Sequence, residues 1–349
     1  MTDITIGKHA IGPEHRPFII AEVSSNHDGS LDQALDIVRM VANSGAQAIK
    51  LQTYKPDTIT IESDAPDFRL PSEHELWGGR TLWNLYTEAH TPWEWHAPIF
   101  EEAAKHGLVC FSSPFDPTAV DLLESLDTPA YKIASSEIVD LPLIRLAASK
   151  GKPIIISTGM ASIGESHAAV EAAHVVGNEQ IIMLSCTATY PANPAESNLR
   201  GIPVMRNAFN TLIGLSDHTP GIGAPLAAIA LGACVIEKHV TLTRKGGNMD
   251  SSFSLEPHEL ATLVHASEIA WQCLGESQIG TKIGEQKNLR FRRSLYVVTD
   301  VKFGDRITSE NVRSIRPANG LAPDLFDTVK GRTFTQDVKR GTALSWDLV

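Results

Sequence analysis

Residues 213–239 read IGLSDHTPGIGAPLAAIALGACVIEKH. A short apolar run ends in Ser216, Asp217 and His218. A glycine-punctuated helical segment follows, and a second apolar run ends in Glu237, Lys238 and His239. That order is strand, crossover helix, parallel strand, with polar residues at the C-terminal end of both strands. Side chains alternate along a strand, so Gly214, Ser216 and His218 share one face, as do Val235, Glu237 and His239. If both faces turn inward, two imidazoles and a carboxylate meet at one rim, a donor set that suits a divalent metal. A lone histidine ending a strand is ordinarily a hydrogen-bonded structural residue. A matched pair on adjacent strands, with Glu237 beside it, favours His218 and His239 as ligands.

The same unit recurs outward from this stretch. Apolar, β-branched runs occupy residues 18–23, 48–53, 108–112, 131–135, 154–158, 181–185, 211–216 and 234–240. Helix-like stretches lie between them. Residues 31–44 carry Leu31, Leu35, Val38 and Val41 at helical spacing, with Gly45 as a stop. Residues 119–126, 143–149 and the alanine-rich 166–176 behave alike, the last two closed by Gly151 and Gly177. This rhythm predicts an α/β fold, a (β/α)8 TIM barrel, whose usual size is about 250 residues. A doubly wound open sheet is the alternative, but no G-x-G-x-x-G opens the first helix. The segment through Pro17 reads as a lead-in, a hairpin closing the barrel bottom.

Barrel active sites lie at the C-terminal ends of the strands. Those ends here are Glu22, Lys50, Gln52, Ser112, Ser113, Lys132, Ser135, Ser157, Thr187, Ser216, His218, Glu237 and His239. Structural strands end in turn residues; these end in lysines, hydroxyls, acids and imidazoles, which points to an enzyme. A lysine inside a barrel is costly without an anion. Lys50 and Lys132 pair either with Glu22 and Glu237 or, with Ser113, Ser135, Ser157 and Ser216 nearby, with a phosphate or carboxylate ligand.

Composition narrows the class. The chain has 349 residues, a 42% hydrophobic fraction and a mean hydropathy of -0.07, ordinary for a globular protein. No apolar run approaches the roughly twenty residues of a membrane span, and Met1-Thr2-Asp3-Ile4-Thr5 opens no secretory signal. A net charge of -11 argues against a broad nucleic-acid footprint. Cys110, Cys186, Cys234 and Cys273 form no C-x-x-C pair and read as buried free thiols of a cytoplasmic protein, with a nucleophilic Cys186 as the lesser alternative.

Two further regions stand out. Residues 55–96 form an oversized insertion holding Trp77, Trp83, Trp93 and Trp95, either a lid or a helical hairpin packing aromatics on the barrel flank. After Gly275 the pattern changes. The barrel is assigned to residues 1–276, a polar linker to 277–292 and a small domain to 293–349. The small domain contains an echo: Asp300-Val301-Lys302-Phe303-Gly304 and Asp337-Val338-Lys339-Arg340-Gly341 each predict a strand and a glycine turn.

Taken together, these segments resemble the sialic acid synthase family over nearly the whole chain. The markers are Ile20-Ala21-Glu22-Val23, Lys50-Leu51-Gln52-Thr53, Ser112-Ser113-Pro114-Phe115, Tyr131-Lys132-Ile133-Ala134-Ser135, Ser157-Thr158-Gly159-Met160, Gly214-Leu215-Ser216-Asp217-His218-Thr219 and Glu237-Lys238-His239. Arg316-Pro317-Ala318-Asn319-Gly320-Leu321-Ala322-Pro323 resembles the family's antifreeze-like (SAF) domain. Within the family, Thr81-Leu82-Trp83-Asn84-Leu85-Tyr86, Thr91-Pro92-Trp93-Glu94-Trp95-His96 and the segment from Met249-Asp250 to Pro257 resemble the branch acting on diacetamido-trideoxy hexoses. Ala188, in Cys186-Thr187-Ala188-Thr189-Tyr190, departs from the asparagine typical of N-acetylneuraminate synthases.

The resemblance implies a condensation of phosphoenolpyruvate with an open-chain amino sugar. It assigns Mn2+ or Mg2+ to His218 and His239, and catalytic roles to these two and to Glu22, the base for water. It implies an anion clamp of Lys50, Lys132, Ser113, Ser135, Ser157 and Ser216 with Gln52 close by. Glu137, Tyr190, Asp250 and Glu237 would contact or orient the sugar. It also implies a swapped homodimer in which Arg316 reaches an N-acetyl carbonyl, and a sugar lid built on Trp77 to Trp95. N-acetylneuraminate or legionaminic acid synthesis, a metal-dependent aldolase, and a non-catalytic carbohydrate- or ice-binding protein are the other readings.

Overall fold

The computed structural model describes residues 2–71, 78–246 and 250–349. Trp77 and Met249 fall outside the described residues. The chain divides into two compact units, Met1–Gly275 and Glu276–Val349.

In the first unit a short hairpin, β1 (Ile4–Ile6) and β2 (His9–Ile11), precedes eight parallel strands. These are β3 (Phe18–Glu22), β4 (Ala48–Thr53), β5 (Val109–Pro114), β6 (Tyr131–Ile133), β7 (Ile154–Ser157), β8 (Ile181–Cys186), β9 (Leu212–Asp217) and β10 (Val235–His239). They pair in sequence order and β10 closes on β3, the predicted barrel. Each strand lies within two residues of its predicted span.

Alternation divides the apolar residues into two layers. Ile20, Ala48, Phe111, Ile155, Ile182, Leu184 and Val235 turn inward, and Ile4, Ile6 and Ile11 of the hairpin join them to plug the barrel's N-terminal end. Ile19, Ala21, Ile49, Leu51, Ile213, Leu215 and Ile236 turn outward, under the helices. Gly7 makes the hairpin turn at φ +59, and a Cβ there would stand 2.8 Å from Val109 Cγ2.

The helices follow from their caps. Helix Leu31–Ser44 starts where the Ser30 side chain accepts from Gln33 N and stops at left-handed Gly45. Its buried face is Ala34, Ile37, Val38 and Val41, with Leu31 and Leu35 only partly buried, so the stripe is rotated from the predicted one. Helix Ile163–His174 begins earlier than its alanine run because Ser162 and Glu165 form a capping box.

The second unit is built on an antiparallel pair, β11 (Ser294–Val297) and β12 (Val312–Ile315), over a core of Leu295, Val297, Val301, Ile307, Val312, Val329, Phe334, Val338, Leu344 and Leu348. The stretch read as a linker carries 3-10 turns over Ile283–Phe291, none of whose residues is buried. The two echoes meet at the single antiparallel bridge Val301↔Val338, not in a regular strand pair. Around it they clasp each other reciprocally: Lys302 Nζ lies 2.6 Å from Asp337 Oδ2, and Lys339 Nζ lies 2.8 Å from Asp300 Oδ2. Phe303 N and Arg340 N donate to the remaining oxygens of Asp337 and Asp300.

Candidate active site

Two residues above the apolar inner layer, the same strands turn polar. Strand register sets Glu22 beside Lys50, Glu237 beside Ser216 and His239 beside Glu22. Lys50 Nζ stands 2.5 Å from Glu22 Oε2, 3.6 Å from Glu237 Oε1 and 3.2 Å from Ser113 Oγ. Lys132 Nζ donates to Ser157 Oγ at 2.7 Å and stands 3.7 Å from Glu237 Oε1. Ser216 Oγ donates to Glu237 at 3.5 Å, and Gln52 Nε2 donates to Glu22 Oε1 at 3.1 Å. All of these side chains are buried except Gln52, which is half-buried. Both lysines thus stand against carboxylates, Lys50 between Glu22 and Glu237 and Lys132 beside Glu237.

The environment separates the two carboxyls. Burial raises the pKa of Glu22; Lys50 opposes the shift and the charge of Glu237 adds to it. Burial also acts upward on Glu237, but Lys132 and Lys50 outweigh it and the pKa is lowered. Of the two, Glu22 holds a proton the more readily. Lys132 is lowered by burial, with Glu237 pulling the other way.

At the mouth, the rings of His218 and His239 lie 5.2 Å apart, centroid to centroid. His218 Nδ1 meets the Thr187 carbonyl at 2.9 Å, which leaves Nε2 for a further partner. His239 Nδ1 is buried and has no hydrogen-bond partner. Burial first, and then the charges of His218 and Lys50, hold His239 well below the ordinary imidazole range. It is therefore neutral, as a metal ligand must be. Burial works against charging His218 too, but Cys186 at 4.0 Å, the Thr187 carbonyl and Glu237 outweigh it, and its pKa is raised. Among the described residues no group of three or more His, Cys, Asp or Glu side chains is arranged to hold a metal ion. The two rings, one with an unpartnered buried nitrogen, fit a site completed by non-protein ligands.

The mouth opens into a cavity of about 540 Å3. Gln52, Ser135, Glu137, Tyr190, His239 and Asp250 line it, so the structure brings these predicted residues together. Asp250 Oδ2 accepts from Ser25 Oγ at 2.9 Å, and Ser135 Oγ accepts from Gly159 N at 3.1 Å. Tyr190 packs its ring 4.4 Å from that of His218. Glu137 has its pKa raised to about 7, chiefly by burial. Arg316 belongs to the second unit, where it is exposed and followed by a cis peptide bond to Pro317.

Of the two readings of the insertion, the flank packing fits Trp93 and Trp95. Leu70, Leu82, Leu85, Tyr86 and Ala89 form its share of the cavity wall, whereas Trp83, Trp93 and Trp95 do not line it. Trp93 stacks under Lys55 Nζ at 4.1 Å and donates to the Tyr54 carbonyl, and Trp95 packs edge-on to His27. Tyr54, missed at the sequence level, also lines the cavity, and the alternation of Lys50, Gln52 and Tyr54 was the signal that could have found it. All four cysteines are free, but Cys186 is half-buried and Cys273 exposed, because Cys273 sits in the last turn of helix Pro257–Leu274.

A buried lattice of acids and lysines at the open end of an eight-stranded barrel defines an enzyme of the (β/α)8 class. Comparison with known proteins places it further. Residues 37–279 match the NeuB family and residues 292–349 match the SAF domain, and the chain belongs to the NeuB family. It is 43% identical to the pseudaminic acid synthase of Campylobacter jejuni, over 95% of this chain and 96% of that one. It is 40% identical to the pseudaminic acid synthase of Helicobacter pylori, over 95% and 97%. Among solved structures it is similar to an N-acetylneuraminic acid (sialic acid) synthetase from Leptospira borgpetersenii in complex with citrate. That match has a TM-score of 0.74 and 32% identity, covering 83% of this chain and 96% of that one.

Proposed function

We propose that this chain is a pseudaminic acid synthase. It would join phosphoenolpyruvate to 2,4-diacetamido-2,4,6-trideoxy-beta-L-altropyranose in its open form, giving pseudaminic acid and phosphate. The observation that carries this reading is the inward lattice of Lys50, Lys132, Glu22 and Glu237, set beneath a cavity walled by leucines and tyrosines. Lys50 and Lys132, with Ser113, Ser135, Ser157 and Ser216, suit the phosphate and carboxylate of phosphoenolpyruvate through charge-assisted hydrogen bonds. Leu82, Leu85 and the Ala188 side chain suit the methyl groups of a 6-deoxy, diacetylated sugar.

The reaction forms a bond from the enol carbon to the sugar aldehyde, adds water at C2 and breaks the bond from C2 to the phosphate oxygen. Glu22 takes the proton from that water, in keeping with its raised proton affinity. Gln52, Glu137, Tyr190, Glu237 and Asp250 orient the sugar. His218 and His239 would hold Mn2+ or Mg2+, which supplies Lewis-acid polarisation of the aldehyde when bound. The protein would work in the cytoplasm as a homodimer, the SAF unit of one copy covering the barrel of another so that Arg316 meets an N-acetyl carbonyl.

Purified protein is offered phosphoenolpyruvate with the altrose, or with N-acetylmannosamine, and assayed for phosphate release and product mass. Turnover confined to the altrose, lost with EDTA and restored by Mn2+, is the expected result. Equal turnover of N-acetylmannosamine would remove the sugar assignment, and phosphate-free aldol chemistry would remove the reaction.

A further inference from the structure

The outward faces of β9 and β10 are apolar until their last turn. Ile213 and Leu215 on β9, with Ile236 and Val240 on and just beyond β10, are buried in the layer beneath the helices. Into that layer the sequence puts a charged pair, Asp217 and Lys238. They are register neighbours, and Lys238 is completely buried. Lys238 Nζ stands 2.8 Å from Asp217 Oδ2 and also donates to the Thr219 carbonyl. Asp217 Oδ1 accepts from Thr219 N at 3.0 Å, and Oδ2 accepts from Thr219 Oγ1 at 3.1 Å. A buried ion pair adds little to stability over well-packed apolar residues of the same volume. Stability alone therefore gives no reason for it here.

Its position does. Asp217 and Thr219 flank His218, and Lys238 immediately precedes His239. Side chains alternate, so the tripeptide folds around the ammonium group on the outside while His218 and His239 face the mouth. His218 is tied at Nδ1 alone, to the Thr187 carbonyl at 2.9 Å and to Cys186 Sγ at 4.0 Å, and His239 Nδ1 has no partner. We infer that the Asp217–Lys238–Thr219 clasp is a positioning device that fixes the spacing and orientation of the two imidazoles. Lys238 holds the His218 turn against the strand that bears His239. The inference rests on the site proposed above, since it supposes that these two rings act together.

The test replaces the pair by apolar residues, Asp217→Leu with Lys238→Met, and uses Thr219→Val, which keeps the ion pair and removes only the Thr219 Oγ1 hydrogen bond, as the milder second variant. A structural role alone predicts a double variant that melts no lower than wild type and behaves like it. The positioning role predicts a folded protein in which Mn2+ binding, read by electron paramagnetic resonance, weakens by about 10- to 100-fold. It also predicts nitrogen spectra of 15N-labelled histidine in which the His218 and His239 rings shift or split. Thr219→Val should give the same changes, smaller. Ring signals that stay in place in both variants would overturn the clasp. Wild-type protein that takes up no Mn2+ would instead remove the metal reading, with the ring spectra still deciding the clasp.

Discussion

The lower and upper halves of the barrel interior are made by the same strands, two residues apart. Ile20 is followed by Glu22, Ala48 by Lys50, Phe111 by Ser113, Ala130 by Lys132, Ile155 by Ser157, Gly214 by Ser216 and Val235 by Glu237. The lower set is buried and apolar, sealed by the hairpin isoleucines. The upper set is equally buried but depends on pairing, each lysine on a carboxylate and a hydroxyl. Burial is thus common to both halves, and its consequence differs. Below, it stabilises in proportion to area. Above, it shifts proton affinities and makes every charge answerable to a neighbour.

The difference can be broken from either side. In Lys50→Met, Glu22 loses its 2.5 Å partner. Removing one member of a buried pair costs about 3–5 kcal/mol, and losing such a cation should also lower kcat by about 10^2–10^3-fold. Denaturant midpoints and phosphate release measure the two effects. The stability loss should shrink toward acid, where Glu22 takes up a proton; a loss independent of pH would contradict the pairing. Phe111→Ala, in the lower half, should cost about 3–5 kcal/mol of stability and leave kcat per folded molecule unchanged. A large fall in kcat there would show that the halves are not separable.

Much of this was legible in the sequence, for a physical reason. A period of two fixes which residues share a face, and polar residues ending apolar runs mark the open end of a barrel, so the gathering of Glu22, Lys50, Lys132, His218, Glu237 and His239 followed from pattern alone. Distances did not: pattern allowed Lys50 to face Glu22 or an anion, and only coordinates give the 2.5 Å contact. The sequence left the insertion as lid or flank, because its tryptophans do not say which way its helices turn. Leu82, Leu85 and Tyr86 of helix Leu82–Ala89 face the cavity, and Trp93 packs elsewhere. The Asp217–Lys238 pair was visible as letters but not as an interruption of an apolar layer, since that layer is a tertiary fact.

Glu137 sharpens the comparison most finely, because its carboxyl sits above the lattice with one oxygen buried and unpartnered. Burial raises its pKa from 4.5 to about 7; its own backbone N–H and Lys132 pull downward, and Asp140 adds to the rise. Between these values the native state keeps a proton that the unfolded chain has released. Stability is therefore full below 4.5 and falls as pH rises toward 7, by a total on the order of 3 kcal/mol. Above 7 both states are ionised and this contribution is flat. Glu137→Gln carries no titrating proton and should lose that downward slope, so the gap between variant and wild type changes across this window and not above it. Denaturant midpoints taken at intervals of pH test it, and parallel profiles for the two proteins would place the carboxyl in water and outside the buried half of the site.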